Sequence, residues 1–135
     1  MTAGPVRPWL VAVAVTVLST AGCGMLGDPV EERWSSRAEF SSCGEVNLDQ
    51  GEEMQKKAVR EIACLRRALK NGDGAELKAT YPTVEGDPIR DYYRVTPQGG
   101  LEVYTDSTDD RFSDGKWAFT GCHTPEWLAE VACDQ

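Results

Sequence analysis

The chain has 135 residues, with 22 acidic and 14 basic side chains and a formal net charge of −8. That length allows one modest domain. The acidity excludes the basic surface that a phosphate backbone requires, so no nucleic acid is expected as a partner, and it gives no electrostatic attraction to anionic lipid.

Residues 1–22 stand apart. They carry one basic residue, Arg7, and no Asp or Glu, and Trp9 to Leu18 reads "WLVAVAVTVL" before the small residues "STAG". A short positive start, a short apolar run and a small-residue exit make a secretory signal. The run is shorter than the ~20 apolar residues that a spanning helix needs. Without this segment the charge is 13 basic against 22 acidic side chains, or −9.

The exit reads "TAGC", Thr20-Ala21-Gly22-Cys23. It resembles the bacterial lipoprotein signal, the lipobox, with Thr20 standing where Leu is usual. The resemblance implies a diacylglyceryl group on the Cys23 sulfur and cleavage just before it. Cysteine parity agrees. The chain has five cysteines, and lipid on Cys23 leaves Cys43, Cys64, Cys122 and Cys133 to form two disulfides in an oxidising compartment. Cleavage after Ala21, leaving Cys23 as a stray thiol, is the rival reading. Two acyl chains hold a protein firmly where one holds it marginally, at ~0.8 kcal/mol per buried CH₂.

Residues 23–42 are expected to be the lipidated cysteine and a flexible tether. They mix Gly, Pro, Ser and charges without a sustained period, and Trp34 and Phe40 read as isolated aromatics in it. A disulfide-stapled domain is expected over 43–135. Its clearest element is a helix from about Gly51 to Lys70, where Met54, Ala58, Ile62, Leu65 and Leu69 fall on one stripe. Asp49 can cap its start and "NGDG" stops it. Arg66, Arg67 and Lys70 near its end complement the helix dipole more readily than they suggest an anion site.

Four strands follow. Leu77, Ala79 and Tyr81 alternate with Glu76, Lys78 and Thr80. Ile89, Tyr93 and Val95 oppose Arg90, Tyr92 and Arg94. Leu101 and Val103 oppose Glu102 and Tyr104, and Trp117 and Phe119 share a face. Period-two alternation with one apolar face fits an antiparallel sheet covered on one side, and "TPQGG" reads as a hairpin turn. "HTPEWLAEVACDQ" is expected as a short final helix or turn, with Thr124 as its cap and Pro125 at its first position. Four cysteines allow three pairings; Cys43–Cys64 and Cys122–Cys133 are preferred as the shorter closures. With a single His and no CxxC pair, zinc is not expected.

The fold class is therefore α+β: one long helix on a roughly four-stranded antiparallel sheet, with two disulfides. Candidate binding residues lie in two loops and on the open sheet face. Glu85 and Asp87 belong to "TVEGDPI", which reads as a tight turn before it reads as a ligand loop. Asp106 and Asp109 belong to "DSTDDRFSDG", an acidic segment that could offer oxygen ligands to calcium but lacks EF-hand spacing. Tyr92 and Tyr104 are the candidates on the sheet face. No metal site, cofactor or catalytic residue is assigned, because His123 has no marked nucleophile beside it.

"SSCG", "CLRRAL", "TVEGDPI" and "DSTDD", preceded by the lipobox, resemble the small uncharacterised lipoprotein domains of Gram-positive bacteria over about Cys43 to Cys122. The Ala/Val-rich signal suits an actinobacterium. The resemblance implies an extracytoplasmic protein held to the cell membrane by lipid, and no chemistry. The expected function is a non-enzymatic envelope module that binds a protein, peptide or wall component. The alternatives are a small inhibitor or sensor of an envelope enzyme and, less favoured, a hydrolase.

Overall fold

The computed structural model describes residues 27–122, together with Met1 and Gly4. The apolar run and small residues of the expected signal, Cys23, His123, Cys133 and the expected C-terminal helix lie outside the described residues. No described helix is long and apolar enough to cross a membrane.

The first element corrects the expectation of a tether. Residues 29–35 form helix α1 (Pro29–Ser35), followed by strand β1 (Ser41–Asn47). The helix starts where a carboxylate can cap it: Asp28 accepts from the Val30 N–H at 2.8 Å, with Pro at the head of the helix and Glu31 and Glu32 in the first turn. Each of these features favours a helix N-terminus. Asp28 also ties the helix to the sheet, because its Oδ2 accepts from the Trp117 backbone N–H at 2.8 Å.

The expected helix over Gly51–Lys70 is two helices, α2 (Met54–Lys57) and α3 (Val59–Asn71), with one non-helical residue, Ala58, between them. The apolar stripe stays in phase across the break: Met54, Ala58, Ile62 and Leu65 are all buried, and Leu69 packs against them. Asp49 does not cap with its side chain; instead its N–H donates to Glu52 Oε2 at 2.7 Å. Gly72 closes α3 at φ +72, and the Asp73 N–H reaches the Ala68 carbonyl at 2.9 Å, the 6→1 bond of a Schellman ending that a left-handed glycine permits.

The remaining strands are β2 (Ala75–Pro82), β3 (Pro88–Val95), β4 (Leu101–Asp106) and β5 (Trp117–Cys122). They pair antiparallel in sequence order, as their alternation predicts. The sheet nevertheless has five strands and is mixed, not four-stranded and antiparallel, because β1 joins it parallel to β2. A parallel neighbour needs a crossover, and α2–α3 supply it by carrying the chain from the end of β1 back to the start of β2.

One face of the sheet carries the core. Ala75, Leu77, Ala79, Tyr93, Val95 and Leu101 meet the stripe of α2 and α3, with Val46 and Cys122 completing the cluster. The disulfide Cys43–Cys64, expected from the sequence, joins β1 to α3 with Cα atoms 5.7 Å apart. A closure of that length stabilises a chain by ~3 kcal/mol. One disulfide rather than two is described; the other expected pairing, Cys122–Cys133, includes a residue outside the described ones.

Running α1 up, β1 down, α2–α3 up and the four remaining strands alternately gives the sheet two distinct ends. The lower end holds Asp28, the β1–α2 loop (residues 48–53), the β2–β3 turn and the β4–β5 loop. The upper end holds the β3–β4 turn and the loop from α3 into β2.

Candidate functional site

The face of the sheet opposite α3 was expected to be open. It is covered by α1 through aromatic and arginine side chains. The Trp34 ring lies 4.3 Å from Tyr92, 5.2 Å from Tyr104 and 6.2 Å from Trp117. Tyr92 stacks on Trp117 at 5.7 Å, and Tyr104 meets Phe119 at 4.9 Å. The Arg37 guanidinium sits 3.2 Å above Trp34, and that of Arg33 sits 3.9 Å above Phe119. Planar guanidinium groups suit such stacks, since they are weakly hydrated and attracted to the ring face.

Charges extend this layer toward the upper end. Glu76 accepts from Arg37 at 2.8 Å and from Arg94 at 2.8 Å. Arg94 also donates to Glu102 at 2.7 Å and to the Ala38 carbonyl at 2.8 Å, and Arg33 reaches Glu102 at 3.5 Å. Burial pushes the Glu76 carboxyl up, but the hydrogen bonds and charges of Arg37 and Arg94 together hold it below its ordinary value. The Phe40 ring lies under Arg94 at 4.5 Å and against Gly74, where a Cβ would stand 2.4 Å from the ring. Gly74 is thus required by contact.

Tyr92 and Tyr104 are brought together as neighbours across β3 and β4, but not as an exposed patch. Tyr104 is 1% exposed, sealed by Trp34, Arg33 and Phe119. Tyr92 is half-buried, and burial is the main cause of its raised pKa. What stays open is the margin of α1, a cleft of about 160 Å³ between Trp34, Tyr92, Lys78, Glu45, Ser42 and Arg37. Its floor crosses a register shift between Ser42 and Glu45 in β1, where Gly44 takes φ +115. A larger, open hollow of about 600 Å³ lies at the upper end, between Glu39, Phe40, Arg67, Asn71 and Asp73.

The acidic candidates at the lower end are engaged by arginines of the same domain. Asp87 accepts from the Arg111 backbone N–H at 3.2 Å and from its guanidinium at 2.9 and 3.0 Å. Asp106 accepts from Arg90 at 3.2 Å and from Thr108 Oγ1 at 2.6 Å, and Asp109 accepts from Arg90 at 2.6 Å. Glu85 lies exposed in the β2–β3 turn.

Alternation alone does not flag Asp91, which sits on the core face of β3 in phase with Ile89 and Tyr93. It is buried and accepts from Thr105 Oγ1 at 2.6 Å and from the Tyr93 hydroxyl at 3.2 Å, with Tyr81 as a further donor. Burial raises its pKa against the opposing pull of these three donors. The same burial, together with the Asp91 charge, pushes the Tyr81 phenol up to about 12. A carboxyl with a raised folded pKa binds more protons in the native state, so its stabilising contribution is full below the ordinary carboxyl value and is lost as pH rises through the folded value. Asp91→Asn is therefore expected to be more stable than the parent at pH 7, with the difference shrinking as pH falls. Urea midpoints measured from pH 4 to 8 should converge at the acid end. A variant less stable than the parent at pH 7 would show that the carboxylate is favoured where it sits.

No family model, curated protein or solved structure matches this chain.

Proposed function

We propose that the chain is a lipid-anchored module on the extracytoplasmic face of a bacterial cell membrane. It binds an envelope protein, peptide or wall component and does not catalyse a reaction. One observation carries this reading: Cys43 is paired with Cys64 inside the domain, while Cys23 follows the small residues of a lipobox. A structural disulfide suits an oxidising compartment, and pairing within the domain reserves the Cys23 sulfur for lipid. A second bridge, Cys122–Cys133, completes the set. The likeness to small lipoprotein domains of Gram-positive bacteria, actinobacteria in particular, belongs to the same reading.

The cleft beside α1 is the surface offered to the partner. It combines the Trp34 and Tyr92 rings with Lys78 and Glu45, a mixture that suits a polar segment carrying an apolar group. The inhibitor or sensor reading relies on acidic loops meeting a basic partner. Arg111 and Arg90 already engage Asp87, Asp106 and Asp109, which supports the cleft instead.

The test is photo-crosslinking in intact cells from Ser42, in the cleft, and from Gln98, in the upper turn. A discrete adduct is expected from Ser42 and not from Gln98, and it should be lost when Cys23→Ala releases the chain from the membrane fraction. Equal adducts from both positions would remove the cleft. A Cys23→Ala chain that stays in membranes, with the parent's mass less only the cysteine-to-alanine difference, would remove the anchor.

A further inference from the structure

We propose that the lower end of the sheet faces the bilayer, with Val84 and Phe112 seated in the headgroup layer; this rests on lipid at Cys23. The reach of the chain sets the geometry. Asp28 is fixed to the domain twice, as the cap of α1 and as the acceptor for the Trp117 N–H at the lower end of β5. Five residue steps separate it from Cys23, and at ~3.5 Å per residue they span at most about 18 Å. The glycerol of an acylated cysteine lies at the edge of the hydrocarbon, beneath an interfacial layer of roughly 5–8 Å on each side of the bilayer. The lower end is therefore confined to the membrane surface. The eight residues of β3, at ~3.3 Å each, hold the upper end about 26 Å further out.

The composition of the lower end suits this position. Val84 in the β2–β3 turn is 82% exposed, and Phe112 in the β4–β5 loop is 72% exposed. The two loops are held together by Arg111, which bonds Asp87 in the turn, so both apolar side chains belong to one supported surface. Arg111 lies beside the Phe112 ring and Lys116 follows in the same loop, both already paired with carboxylates, Asp87 and Asp114, so the aromatic ring and Val84 supply the entry into the interface. Glu85 beside Val84, Asp109, Asp110 and Asp114 in the β4–β5 loop, and Asp49, Glu52 and Glu53 in the β1–α2 loop make this end acidic, so the contact is apolar in origin and anionic lipid weakens it.

The experiment uses the full chain purified with its lipid, in phosphatidylcholine vesicles with and without about one-third phosphatidylglycerol. Nitroxide labels are placed by Val84→Cys, Phe112→Cys and, at the upper turn, Gln98→Cys. Collision with a water-soluble nickel chelate is expected to be about threefold lower at 84 and 112 than at 98, and the difference should shrink with phosphatidylglycerol. Hydrogen exchange of the unsubstituted chain, slower over residues 83–87 and 107–116 on vesicles than in detergent, gives the same result without added cysteines. A chain that sediments with the vesicles but shows equal accessibility at all three labels, and no added protection, overturns the orientation while leaving the anchor standing. A chain without a lipid increment that does not sediment with vesicles overturns both.

Discussion

Trp34→Ala is expected to lower the stability of the domain by about 3 kcal/mol, a fall in melting temperature of roughly 10–20 °C for a domain of this size. The expectation follows from what the indole touches. It fills the space between Tyr92, Tyr104 and Trp117 and carries the Arg37 guanidinium on its face. Removing it opens a void over Tyr104, which is otherwise sealed, and frees Arg37 from the ring that orients it toward Glu76. Asp28 still caps α1 and still binds the Trp117 N–H, so the helix keeps one attachment while losing its packing. The variant should therefore expose tyrosine to solvent and speed proteolysis between residues 28 and 40 before global unfolding. Thermal melts and limited proteolysis read both effects. A variant that melts with the parent would return residues 28–40 to the status of a tether, and with them the short reach that brings the lower end to the bilayer.

The parts of the fold that were legible in the sequence are those where one side of an element is apolar and the other is not. Leu77 and Ala79, Tyr93 and Val95, and Leu101 and Val103 alternate cleanly, so β2, β3 and β4 could be read with their inner faces. Strand β1 could not, because "SSCGEVN" is an edge strand with only Val46 buried; such a strand is specified by its backbone partner, not by its own pattern. Helix α1 was illegible for a different reason. Its sheet-facing side is made of the exposed Arg33 and the half-buried Trp34 in place of aliphatic residues, and a hydrophobic period does not register a guanidinium lying on a ring. The cap itself was visible in "DPVEE", an Asp followed by Pro and two acids. The alternation puts Tyr92 and Tyr104 on the face away from the core, and the structure pairs them across β3 and β4, but alternation cannot tell whether a second layer covers that face. Asp91 was hidden because its position in the alternation reads as apolar, and its three hydroxyl donors come from β2, β3 and β4, which meet only when the sheet forms.

Arg94→Met is expected to destabilise the domain by about 3 kcal/mol at pH 7, and the loss should narrow as the pH falls. Arg94 is 5% exposed. Its guanidinium is shared among Glu76, Glu102 and the Ala38 carbonyl, with the Phe40 ring at 4.5 Å. Methionine keeps much of the volume over Phe40 but leaves two largely buried carboxylates with one arginine each, Arg37 for Glu76 and Arg33 for Glu102. Breaking a buried pair from one side leaves charge without compensation, which costs more than the pair itself contributes. The direction of the pH effect follows from Glu76. Its folded pKa lies below the ordinary value because the two arginines outweigh burial, so its contribution is present above the unfolded carboxyl pKa and lost as pH falls through the folded one. Without Arg94, Glu76 loses part of that depression and accepts a proton more readily in the native state. Once the pH falls below the parent's depressed folded pKa, Glu76 is protonated in both chains, and the difference between them contracts to lost packing and the Ala38 contact. Arg94→Lys should fall between parent and methionine, since one ammonium cannot serve Glu76, Glu102 and the carbonyl in the plane that the guanidinium provides. Urea titrations at pH 7 and pH 3 on the three chains separate these terms. A methionine variant within 1 kcal/mol of the parent at pH 7, with no contraction in acid, would mean that solvent already screens this network and that the aromatic layer and the Asp28–Trp117 bond hold α1 to the sheet.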